Sequence, residues 1–118
     1  MEFKELIDKQ ISADRERGFS VEFDSDAERH AQLSKDLIGL FGEIGEFANL
    51  AKKVGLRLEH AAYCGPDLDE ARGWLREELA DAVIYIMRLS AILGADLEQD
   101  ILDKMAQNDA RYRPLESE

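Results

Sequence analysis

Glu43 and Glu46 stand three residues apart in one helix-forming stretch, and Glu78 and Asp81 repeat that spacing in another. A three-residue step returns to the same helical face, so each pair projects two carboxylates together. Four carboxylates brought face to face repel one another and resist leaving water unless cations sit between them. Hard divalent ions that prefer oxygen ligands suit such a cage, Mg²⁺ first, with Mn²⁺ as a substitute. The chemistry to expect is metal-assisted attack on a phosphorylated substrate.

One pair alone would mean little, because glutamates three apart are common in any acidic helix. Their setting separates these two pairs. Trp74, Glu78, Asp81, Tyr85 and Arg88 form one stripe, beside the apolar stripe of Leu75, Leu79, Ala82, Val83 and Ile86. Glu43 and Glu46 are likewise set among Leu40, Phe41, Ile44 and Phe47. A polar ladder flanked by apolar positions is not the pattern of a solvated face. Trp74 reads as a partly buried core or interface residue. Further along, Lys104, Asn108 and Arg111 share a face with Leu97 and Ile101. Lysine and arginine there could neutralise phosphate oxygens, Arg111 in bidentate fashion, while Asn108 offers both donor and acceptor. The helix dipole would account for basic residues in a last turn, but it does not single out Lys104 or Asn108. His30 and His60 are not expected to have a metal role.

These side chains need rigid helices to hold them, and the sequence marks where the helices start. A first helix runs from Phe3 to about Arg17, with Phe3, Leu6, Ile7 and Ile11 on one side and Gly18 as its stop. Ser25 followed by Glu28 has the form of a capping box and opens a second helix. Leu33, Leu37, Leu40, Phe41, Ile44, Phe47, Ala48, Ala51 and Val54 then keep helical spacing, with Gly55 as the expected end. Residues 55 to 66 read as a connection, with room for a short helical turn around Leu56 to Ala62. Asp67 with Glu70 opens a third helix, which runs to about Leu93 before Gly94. Asp96 caps a fourth, which fades near Pro114. The expected fold is all-α: a bundle of about four helices in one domain, residues 1–118, with two long central antiparallel helices. Gly39, Gly42 and Gly45 would permit close helix approach. One copy cannot readily bury Phe41, Phe47, Val83, Ile84, Ile86 and Leu89 together, so a homodimer or homotetramer is expected to complete the core.

Composition narrows the partners. With 118 residues, 45% hydrophobic and 35% charged, the chain suits one folded domain of high surface charge. Its formal charge of −11 argues against a nucleic-acid duplex. No apolar run approaches the roughly 20 residues of a membrane span, and the Met1–Lys4 start lacks a signal-peptide pattern. Cys64 is the single cysteine, which fits a reducing compartment. The expected location is cytoplasmic.

The stretches Leu40–Glu46, Glu77–Tyr85 and Lys104–Tyr112 together resemble the MazG-like all-α nucleoside triphosphate pyrophosphohydrolases. Within that superfamily the chain looks most like the dCTP pyrophosphatase type, whose terminal K-M-x-x-N-x-x-R-Y pattern it reproduces. The resemblance covers roughly residues 3 to 114. It implies hydrolysis between the α- and β-phosphates, giving a nucleoside monophosphate and pyrophosphate, in nucleotide-pool control or cleansing. It also implies that Glu43, Glu46, Glu78 and Asp81 hold Mg²⁺ against the triphosphate, and that a glutamate of the second helix acts as general base. Tyr85, Lys104, Asn108 and Arg111 would position sugar or phosphates. Relatives of the dCTP type place two aromatics around the base. Phe19 fits the first position, whereas Lys53 stands at the second and offers no flat surface for stacking.

Three other readings compete. A di-iron carboxylate bundle needs Glu-x-x-His, which the chain lacks. A phosphoribosyl-ATP pyrophosphohydrolase would share the chemistry, but the C-terminal pattern argues for the dCTP type. A non-catalytic nucleotide- or partner-binding helical module would be free to lose one of the four acidic ligands, and all four are present.

Overall fold

Four helices follow one another in the computed structural model, which describes residues 1–117: α1 (Phe3–Glu16), α2 (Asp26–Glu59), α3 (Leu68–Ile92) and α4 (Leu97–Tyr112), closed by a 3-10 turn at Arg113–Ser117. No strand occurs among the described residues, so the fold is all-α. Three of the four starts are the predicted caps. Ser25 Oγ accepts from the Glu28 amide at 3.2 Å, Asp67 Oδ1 from Glu70 at 2.8 Å and Asp96 Oδ1 from Gln99 at 3.1 Å. Each bond satisfies one of the amide donors that a helix N-terminus leaves open. The return arm of the first box shifts by one residue: Glu28 Oε2 accepts from the Asp24 amide, 3.2 Å away. Gly18 and Gly94 follow α1 and α3 with φ of 87° and 68°, a conformation that side chains with a Cβ resist.

Gly55 does not end the second helix. α2 runs on to Glu59 and absorbs part of the expected connection. A glycine inside a helix costs only about 1 kcal/mol relative to alanine. On either side of it Val54 is buried, and Arg57 Nη1 reaches the Gly65 carbonyl at 2.6 Å, so the extra turn is anchored.

α2 and α3 are the dominant pair, and cross-links show their direction. Arg29 donates to the carbonyl of Ile92, Asp36 pairs with Arg88, Glu43 lies near Glu78, and Arg57 faces Glu70 at 4.0 Å. As the number rises on α2 it falls on α3, so the two helices are antiparallel. The Arg29 bond also satisfies one of the carbonyls that the end of α3 leaves open. Gly39 makes room for the Tyr85 side chain: a Cβ there would fall on the Tyr85 ring, 2.7 Å from its hydroxyl oxygen. Gly42 and Gly45 meet nothing comparable.

A charged network ties α1 and α2 to α3. Arg88 donates through Nε to Asp36 Oδ2 at 2.9 Å, and through Nη1 to Asp14 Oδ2 at 3.1 Å and to the Phe19 carbonyl at 3.0 Å. Gln10 and Gln32 donate to the other oxygens of Asp14 and Asp36 at 3.0 and 3.1 Å. All three charged side chains are buried.

The apolar core is thin. Val21, Val54, Ala71, Ala82, Met87 and Ile92 are buried. Phe41, however, is 64% exposed, with Val83 at 42% and Ile86 at 39%. Phe47, Ile84 and Leu89 are half-buried. Leu79, expected in the core stripe of the third helix, is exposed, and Trp74 is 53% exposed. The radius of gyration is 18.6 Å, against about 13–14 Å for a compact domain of this length. A single chain therefore leaves apolar faces of both central helices uncovered.

Candidate metal and nucleotide site

The antiparallel pairing brings the two acidic motifs to the same level. One carboxylate oxygen from each of Glu43, Glu46 and Glu78 lies within 4.8 Å of the others. Glu78 is half-buried, and its Oε2 is shut off from solvent with no hydrogen-bond partner. Ionised carboxylates only accept hydrogen bonds, so acids facing one another must share a proton or a cation. The Glu78 pKa responds accordingly. It is pushed up from 4.5 to about 8, first by the proton contact with Glu43, then by burial, then by Glu46. A buried, orphaned oxygen beside two further carboxylates is a donor set that fits a hard divalent cation.

Asp81, the fourth predicted ligand, is exposed and stands outside this tight triplet. It lines, together with Glu43, a cavity of about 510 Å³, a volume in the range of small-molecule sites. Tyr85 and Phe19 line the same cavity, as do Lys35, Gln32 and the Arg88 network. Carboxylate, aromatic, amide and cationic side chains therefore line one space together. A smaller space of about 130 Å³ also adjoins Glu43 and Glu78, where Ile44, Phe47, Leu79 and Ala82 supply an apolar wall. That wall explains the poor solvation of Glu78.

Lys104, Asn108 and Arg111 are exposed on α4 and line neither of these spaces. The Arg111 guanidinium lies over the Tyr112 ring, 5.0 Å from its centroid. Within one chain, the structure thus gathers Glu43, Glu46 and Glu78, sets Asp81, Tyr85 and Phe19 around the adjoining cavity, and leaves the basic face of α4 apart.

Comparison with known proteins bears on this arrangement. Over 89 residues the chain is 35% identical to dCTP pyrophosphatase 1 of Rattus norvegicus and of Homo sapiens, and 36% to that of Bos taurus. It is a relative of the dCTP pyrophosphatases. The aligned stretch is 74% of this chain, and the chain spans about half the length of the curated relatives it matches. No family model matches the chain, and no solved structure gives a significant match.

Sequence reasoning put Arg88 on the acidic stripe but gave it no partner, and it passed over Asp14, Asp36, Gln32 and Lys35. The only available signal was Arg88 continuing the ladder one turn beyond Tyr85. Asp14 and Asp36 look like ordinary surface acids in sequence, because what buries them is contact between helices far apart along the chain.

Proposed function

We propose that this chain hydrolyses nucleoside or deoxynucleoside triphosphates between the α- and β-phosphates, in control or cleansing of the nucleotide pool. The observation that carries the reading is the Glu43, Glu46 and Glu78 triplet with its buried, unpartnered Glu78 oxygen. Glu43, Glu46, Glu78 and Asp81 would hold Mg²⁺. A bound ion of this kind supplies activation of water and neutralises charge on the phosphates.

The remaining work falls to the chain's own residues. Water attacks the anhydride between the α- and β-phosphates, the bond from the attacked phosphorus to the bridging oxygen breaks, and nucleoside monophosphate and pyrophosphate form. A glutamate of α2 takes the proton from the attacking water, as a general base within reach of the reacting centre must. Phe19 and Tyr85, bordering the cavity beside Glu43 and Asp81, would flank the nucleoside. Lys104, Asn108 and Arg111 carry the right groups for phosphate and sugar oxygens, and they act where α4 of this or a second copy closes over the carboxylates. The uncovered Phe41, Val83 and Ile86 favour a homodimer or homotetramer in which helices from two copies meet.

The test is product analysis with a panel of canonical and modified nucleoside triphosphates, with Mg²⁺ and with chelator. Mg²⁺-dependent release of monophosphate and pyrophosphate is expected. Release of inorganic phosphate would mean that a different bond is cut. No turnover on any substrate would remove the catalytic reading.

A further inference from the structure

The Arg88 network has a role that the acidic ladder does not explain, and its assignment rests on the pyrophosphohydrolase reading above. Arg88 lies on the stripe of α3 that carries Glu78, Asp81 and Tyr85, seven residues beyond Asp81. Its side chain is 7% exposed, and those of Asp14 and Asp36 are 9% and 7%. Two buried carboxylates against one guanidinium leave a net negative charge out of water. Such an arrangement gains little stability over apolar packing, but loss of one member is costly because its partners stay buried and unpaired. What it does provide is geometry: one planar fork fixes the end of α1, the N-terminal third of α2 and the loop between them.

The loop element it fixes is Phe19. The Phe19 amide donates to the Asp14 carbonyl at 2.8 Å, and its own carbonyl accepts from Arg88 at 3.0 Å. The ring, by contrast, is 59% exposed and lines the cavity. With so little burial to hold the ring, the clamps on its backbone determine where it stands. Tyr85, one turn before Arg88, lines the same space and is held against Gly39.

We propose that Arg88 is a positioning residue for substrate binding, holding Phe19 on the cavity wall through the Asp14–Arg88–Asp36 network. It governs how tightly the nucleoside part of the substrate is held and leaves the hydrolytic step to the acidic ladder.

The test compares the wild-type chain with Arg88→Lys, which keeps the charge but replaces the fork with a single ammonium that cannot serve three acceptors in the same geometry. Two readouts are taken: amide hydrogen exchange across residues 17–24 and 78–85, and steady-state kinetics with Mg²⁺ and the triphosphate the wild type hydrolyses best. A lost hydrogen bond to a charged group corresponds to roughly tenfold or more in an equilibrium. The expected result is exchange at Phe19 and its neighbours faster by about tenfold, α3 protection unchanged, KM raised about tenfold and kcat within about twofold. Unchanged loop exchange, or a fall in kcat at constant KM, overturns the proposal. If Arg88→Lys does not fold, Asp36→Asn decides the matter, since it keeps shape and one acceptor; it should shift the same two readouts by about threefold, and no shift in either overturns the proposal. A wild type that turns over no triphosphate defeats the functional reading instead, and the exchange comparison still decides whether Arg88 holds Phe19.

Discussion

Cation binding at the acidic triplet should expel a proton, and the number expelled follows from Glu78. Its pKa is pushed up from 4.5 to about 8. At pH 7 the cation-free protein therefore carries about 0.9 of a proton on this side chain, and at pH 9 about 0.1. A divalent cation needs the ionised carboxylate, so binding must release that proton. Titration calorimetry with Mg²⁺ or Mn²⁺ in buffers of different ionisation enthalpy counts it directly. The expected release is about 0.9 of a proton at pH 7, falling to about 0.1 at pH 9, with apparent affinity rising with pH up to about 8. Glu78→Gln should remove the release. The same shift has a stability consequence. Between pH 4.5 and 8 the folded state holds a proton that the unfolded state has lost, so in chelator this carboxylate makes no unfavourable contribution below pH 4.5 and its full unfavourable contribution above pH 8. Glu78→Gln escapes that term, so its stability relative to wild type should climb as pH rises through this window. Equal proton release at pH 7 and pH 9, or release that survives in Glu78→Gln, would refute the reasoning.

Glu78→Gln should also abolish triphosphate turnover while the far-ultraviolet circular dichroism stays helical, because it removes a ligand and no core packing; retained turnover would exclude the residue from the site. Lys104→Ala should raise KM by about tenfold with its fold intact, as expected for one lost charged contact, and a loss of folding instead would mark a structural role. Gly39→Ala should push the Tyr85 ring out of its place and raise KM, since the new methyl would overlap that ring; unchanged kinetics would remove Tyr85 from the cavity wall. Equilibrium sedimentation at micromolar concentration should show a dimer or larger, and a clean monomer would leave the exposure of Phe41, Val83 and Ile86 without its proposed partner.

Local chemistry in this chain is written in the sequence. The caps at Ser25, Asp67 and Asp96 were legible because a capping side chain bonds an amide three residues away, so both partners lie in one short window. The paired acids were legible for a similar reason, since helical period alone puts i and i+3 on one face. Gly55 misled because a glycine marks a helix end only when nothing beyond it is anchored, and here Arg57 reaches across to Gly65. The rest needed tertiary contact. That Glu78 meets Glu43 and Glu46, while Asp81 stands beside the cavity, depends on the relative height of two helices joined by a connection. The Arg88 network joins residues 52 and 74 positions apart, which no local pattern encodes. Sequence by itself determined the helices, their starts and the acids they carry, because those follow from interactions within a turn or two. Only the tertiary structure decided which acid is buried, what its proton does and what holds Phe19 in place, because burial and long-range pairing belong to the packed molecule.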